Sequence, residues 1–115
     1  MTLTPHAGEL IMAFNWGSIA SLQRLRNLQV SISYADPSIF VEAVSHLTTL
    51  QTLDIWDCKR VYFSPIYGWN WENWIHLTNL RELNLHSAHH LHPESLMDMA
   101  VLSNLAALEV TGTTH

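Results

Sequence analysis

The run Leu47-Thr48-Thr49-Leu50-Gln51-Thr52-Leu53-Asp54-Ile55-Trp56-Asp57-Cys58 changes its period partway along. Leu47, Leu50 and Leu53 are spaced by threes, which sets them on one face of a helix or 3₁₀ turn. Leu53-Asp54-Ile55 then alternates apolar and polar, the period of a strand with one buried face. The pattern stands three more times, as Leu22, Leu25, Leu28 and Val30, as Leu77, Leu80, Leu83 and Leu85, and as Leu102, Leu105, Leu108 and Val110. The leading leucines fall 25, 30 and 25 residues apart, and every apolar position is kept in all four copies. Self-similarity at a nearly fixed period is the mark of a repeat architecture.

The register extends backwards. Six residues before the leading leucines stand Trp16, Val41, Trp71 and Leu96, and three before stand Ile19, Val44, Trp74 and Met99. Each unit therefore joins an apolar helical arm to a short strand. Asp36-Pro37 supplies an N-cap and an N1 proline for a helix over 38–46. His92-Pro93-Glu94 repeats the device with a weaker cap ahead of 95–100, and Asn70 is placed to cap 71–75. The first arm, over 7–16, is interrupted by Gly17 and Ser18. Strands are expected over 28–31, 53–56, 83–86 and 108–111, and Met1-x-Leu3 reads as a partial fifth.

These four copies resemble the leucine-rich repeat family, and the likeness covers nearly the whole chain. It implies one domain over 1–115, with about four repeats and a partial one at the N-terminus. The implied fold is an α/β solenoid: a right-handed coil of strand–helix units, with a parallel sheet on the concave face and helical arms outside. In the family, the ninth motif position carries a small or polar group bonded to the backbone of neighbouring coils. Here it holds Ser33, Cys58, Ala88 and Thr113, so Cys58 is expected to be a buried ladder residue and the ladder to break at Ala88. Neither end of the sequence looks like the polar cap of a repeat array. The sequence therefore reads as a fragment of a longer array that associates through its open ends.

Composition bounds the function. Five Lys and Arg against ten Asp and Glu leave a formal charge of −5, which argues against a nucleic-acid backbone as partner. A single cysteine rules out an internal disulfide framework and fits a reducing compartment. The apolar run Leu10–Phe14 is too short for a membrane span, no Lys or Arg precedes Arg24 to make a signal peptide, and no Asn-x-Ser/Thr sequon occurs. The expectation is a cytoplasmic chain with no membrane partner.

Catalytic patterns are thin. Gly8, Gly17, Gly68 and Gly112 are scattered, without a phosphate loop. Asp54 and Glu109 hold one strand position in different units, too far apart for a close carboxylate pair, so they read as a polar stripe. His86, His89, His90 and His92 fall within seven residues, a spacing that permits metal binding, but no Cys or Asp joins them. The plainer reading is a polar histidine-rich loop. No catalytic residue, metal or cofactor is assigned, and a metal-dependent or thiol enzyme stands as the alternative of a different class. His46 and His76 each precede a leading leucine and are expected to be half-buried between coils.

The aromatics divide by position. Trp16, Trp71 and Trp74 occupy apolar positions of the unit and are expected in the core. Trp69 is intermediate, and Trp56 follows Ile55 on the strand and should project from the open face; the alternative is that it lies flat over Asn84 and His86 and shields the sheet. The five extra residues of the third unit fall within 59–70, a stretch that holds Lys59, Arg60 and four aromatics. Insertions in repeat proteins map to loops, often on a binding face. The alternative is that Tyr62, Phe63 and Ile66 only cover a wider coil.

The function implied by the resemblance is recognition of a protein partner through the concave sheet face and the 59–70 insertion. The exposed strand positions are expected to be Gln29, Ser31, Asp54, Trp56, Asn84, His86, Glu109 and Thr111. The candidate contact residues are Trp56, Asp54, Asn84, His86, Arg60, Tyr62 and Tyr67. A Gly-x-Ile-Pro segment, usual in the secreted plant-receptor type, is absent. The chain looks more like the intracellular kinds, found in immune receptors of the nucleotide-binding class and in substrate-recognition subunits of ubiquitin ligases.

Overall fold

The leading leucines Leu47, Leu77 and Leu102 each close a tight turn. In the computed structural model, which describes residues 2–3, 23–32 and 36–112, the Leu50, Leu80 and Leu105 amides donate to the carbonyls of Leu47, Leu77 and Leu102 at 3.0, 3.1 and 3.1 Å. One turn earlier, the Leu47, Leu77 and Leu102 amides donate to Val44, Trp74 and Met99. These i to i−3 bonds are why the apolar residues recur by threes: side chains three apart eclipse in a 3₁₀ turn. The chain then straightens into a strand, and the period becomes two.

The strands are β1 (Thr2–Leu3), β2 (Asn27–Ser31), β3 (Thr52–Trp56), β4 (Glu82–Leu85) and β5 (Ala107–Val110). They form one parallel sheet in the order β1-β2-β3-β4-β5. Leu3, Leu28, Leu53, Leu83 and Leu108 are successive register partners, so the leucines that the sequence superposes lie side by side. Parallel neighbours need a crossover between them. Between β2 and β3 it contains helix α1 (Pro37–Ser45), between β3 and β4 three 3₁₀ turns, and between β4 and β5 helix α2 (Pro93–Asp98) with a further 3₁₀ turn. The fold is thus α/β with a parallel sheet.

The caps fall where the sequence puts them. Asp36 accepts from the Ser38 amide and hydroxyl at 2.9 and 2.7 Å, and Pro37 opens α1. Asn70 Oδ1 accepts from the Glu72 amide ahead of the 3₁₀ turn Trp71–Trp74. His92 makes no side-chain cap to α2. Side chains also tie adjacent turns together: Thr49 donates to the Leu25 carbonyl, Asn79 to Thr48 and Asn104 to Thr78, each at 2.8–2.9 Å.

A single buried cluster runs under the sheet, with Leu28, Leu47, Leu50, Leu53, Leu83 and Leu85 wholly inaccessible. The crossover from β3 to β4 fills its share with aromatics. Phe63, Trp69, Trp71 and Trp74 are all buried and pack with the buried Phe40 of α1, neighbouring ring centroids standing 4.9–6.4 Å apart. Trp74 Nε1 donates to the Val41 carbonyl at 2.9 Å.

Several expectations need correction. Trp69 is a core residue, since the insertion turns it inward against Phe40 and Phe63. Leu96 is exposed; α2 instead turns Ser95 inward, where its hydroxyl donates to the Phe63 carbonyl at 3.0 Å. His46 and His76 are exposed, because each lies at the outer end of its helical turn. At Ala88, where the side chain has no group to bond, the backbone amide donates to the Thr111 carbonyl at 2.8 Å, and the Cys58 amide likewise donates to the His86 carbonyl at 3.0 Å. The arm over 7–16, Trp16, Ile19, Ser33 and Thr113 lie outside the described residues.

Candidate functional site

Alternation along the strands turns Leu53 and Ile55 into the core and Asp54 and Trp56 to the opposite, open face. On that face the register sets Asp54 beside Gln29 and Asn84, and Ser31 beside Trp56. β4 ends at Leu85, yet the His86 amide still donates to the Ile55 carbonyl at 2.9 Å, which fixes His86 next to Trp56. The two rings stack with centroids 3.7 Å apart and planes at 4°. His86 Nε2 lies 3.2 Å from Asp54 Oδ1. Trp56 keeps 47% of its surface exposed, whereas Asp54, Asn84 and His86 are half-buried.

The open face is not uniformly accessible. Gln29, Glu109 and Thr111 are exposed as expected, but Ser31 is buried. Its hydroxyl donates to Asp57 Oδ2 at 2.6 Å, and Asp57 takes a left-handed backbone (φ 58°) just after β3. Ser87 and Gly112 have positive φ after β4 and β5, so each of these three strands is followed by the same left-handed turn.

The insertion contributes a second aromatic group. Arg60, exposed like Lys59, ends the 3₁₀ turn that begins at the buried Cys58. Val61 and Phe63 point into the core, while Tyr62, Ile66 and Tyr67 remain exposed. The insertion therefore both covers the core and presents rings to solvent. Tyr62 lies between two partners, with Tyr67 at 4.9 Å and His90 stacked on it at 4.1 Å and 17°. Gly68 (φ 89°) closes this loop; a Cβ there would stand 3.1 Å from Ser38 Cβ. Among the described residues no ring pair joins the Trp56 stack to the Tyr62 stack.

The Tyr62 group borders a cavity of about 270 Å³ that is also lined by His92, Glu94 and Asp98. Glu94 and Asp98 were not singled out by the sequence reading. Their signal was available: two carboxylates four apart, in a helix opened by Pro93, share one face.

Cys58 is wholly buried, and its thiol donates to the Ile55 carbonyl at 3.4 Å. Burial pushes it up from an ordinary 9.0 to about 12; the His86 backbone bond opposes the rise and the nearby Asp57 charge adds to it. Such a thiol is a packing residue and a poor nucleophile. Among the described residues no three His, Cys, Asp or Glu side chains converge as a metal-holding group. His86 turns to Trp56 and Asp54, and His90 to Tyr62. No helix among the described residues is long and apolar enough to cross a membrane. Compared with protein-family models, with curated proteins and with solved structures, the chain matches none.

Proposed function

We propose that the chain is a non-catalytic protein-recognition module of the leucine-rich-repeat type, a solenoid that offers its open sheet face and the 59–70 insertion to a protein partner in the cytoplasm. The observation that carries this reading is the Trp56–His86 stack on the open face. A large aromatic with 47% of its surface exposed gains most when a partner covers it. The ring is also held in place before any partner arrives, by His86 beneath it and Asp54 beside His86. A side chain already ordered loses little rotamer freedom on binding, which lowers the cost of association. Asn84 lies beside Asp54 in register on the same face, and Arg60, Tyr62 and Tyr67 of the insertion are assigned as further contact residues.

Affinity capture from the native host with wild-type chain and with Trp56→Ala tests the proposal. The expected result is a specific partner recovered by the wild type and lost by the variant. The loss should amount to at least about 2 kcal/mol of binding, with little change in melting temperature. A variant that binds its partner normally but melts several degrees lower makes Trp56 a packing residue and overturns the assignment.

A further inference from the structure

β5 ends the sheet, and its outer edge has no partner among the described residues. The Ala107 and Thr111 amides donate to the Arg81 and Leu85 carbonyls. Backbone groups alternate sides along a strand, so Leu108 and Val110 direct both N–H and C=O away from β4. The Ala106 carbonyl is open in the same way. At the equivalent place, the carbonyls of Arg26, Gln51 and Arg81 each accept two amides from the next strand, and none reaches Ala106 among the described residues. The core is open here too. Leu108 keeps 42% of its surface exposed, although its register partner Leu83, and Leu53 and Leu28 beyond it, are inaccessible. β5 also carries neither lysine nor proline, the residues that usually guard an exposed edge.

We propose that this edge pairs with the same edge of a second copy, antiparallel, about a two-fold axis through Leu108. Strand side chains directly opposite one another share a face, so core-side residues must meet core-side residues. With Leu108 opposite Leu108 of the copy, the two exposed leucines cover each other and their amides and carbonyls exchange bonds. Each Val110 amide then reaches the open Ala106 carbonyl of the copy, and each Glu109 lies opposite Ala107. Charge excludes the neighbouring register: with Leu108 opposite Val110, the two Glu109 carboxylates would face each other across the axis. A shift the other way leaves Val110 without a mate. The edge is therefore complementary to itself in one register, and such a contact closes at two copies. It uses the last strand of the sheet and none of the recognition residues proposed above.

The test is sedimentation of the full 115-residue chain across about 1–100 μM. The mass should rise to twice that of the monomer and stop there. A monomer at about 100 μM overturns the pairing, and growth beyond a dimer overturns its closure. Amide exchange locates the contact: the Leu108 and Val110 amides should slow at least about tenfold as the dimer forms, and unchanged exchange overturns the assignment to β5. Leu108→Lys sets two ammonium groups at the axis and should weaken the dimer at least about tenfold. Val110→Pro removes one outward N–H without touching the bonds to β4, and should weaken it in the same sense. Circular dichroism establishes that each variant is folded, and an undiminished dimer in either folded variant overturns the proposal. Ala107→Lys places a cation opposite Glu109 of the copy in both halves and should tighten the dimer by about twofold to thirtyfold; unchanged or weaker association overturns the register. Trp56→Ala should leave the dimer intact, and a dimer lost with it would move the contact to the sheet face and overturn the edge.

Discussion

Cys58 shows how much one residue's surroundings decide about its chemistry. The thiol is inaccessible, bonded to the Ile55 carbonyl, and raised to about 12 by burial. A thiol-specific reagent should leave the native chain unmodified at pH 8 and label it fully in denaturant; rapid native labelling would contradict the burial. The same shift sets a sign for alkaline stability. The folded state keeps its thiol proton above 9.0 while the unfolded state releases it, so stability is full below 9.0 and is lost as pH rises toward about 12. The expected slope approaches about 1.4 kcal/mol per pH unit in that window, and Cys58→Ala should flatten it in denaturant titrations repeated across pH. The sequence reading reached Cys58 through a motif position. It did not reach the Asp54–His86 contact, because those residues are 32 apart and meet only through the register of β3 and β4.

At the scale of elements, α1 is the best determined by local chemistry. Asp36 satisfies orphan amide donors at the helix start, and its carboxyl is held below the ordinary 3.8, chiefly by the Ser38 hydroxyl and then by the Ser38 amide. Asp36→Ala should cost about 0.5–2 kcal/mol by denaturant unfolding. A depressed carboxylate contributes stability above its unfolded value and loses it as pH falls through the folded one. The difference between wild type and Asp36→Ala should therefore shrink as pH drops below 3.8; an unchanged gap would show that the charge contributes nothing to the cap. Elements fixed by such local signals were legible: α1, the strands and the Asn70-capped turn all lie within a residue or two of their expected bounds. Where the sequence misled, tertiary packing had overridden the pattern. Leu96 holds an apolar position of the unit yet is exposed, because Ser95 takes the inward place by bonding to Phe63. Trp69 is buried because the insertion, which no period describes, folds back over Phe40. Asn79 and Asn104 share one position in successive units, and that recurrence was a readable sign of the side-chain bonds between turns.

For the molecule as a whole, stability depends on one continuous stack beneath the sheet, and Leu53 sits at its middle. It is wholly inaccessible, it pairs in register with Leu28 and Leu83, and β3 is the third of the five strands. Strand side chains alternate, so Asp54 faces the opposite way from Leu53, and a one-residue slip would exchange a leucine for a carboxylate in the core. Two substitutions separate loss of packing from loss of register. Leu53→Ala removes volume and should cost about 2–5 kcal/mol while a cooperative transition remains. Leu53→Asp puts a carboxyl where no cation among the described residues faces it, a cost of several kcal/mol on top of the lost packing and comparable with the roughly 5–15 kcal/mol that holds an ordinary domain. Circular dichroism should then show a lowered but sharp melt for Leu53→Ala and no cooperative melt for Leu53→Asp. If Leu53→Asp melted like the wild type, residue 53 would face solvent, and the side of the sheet assigned to Asp54 and Trp56 would have to be exchanged with it.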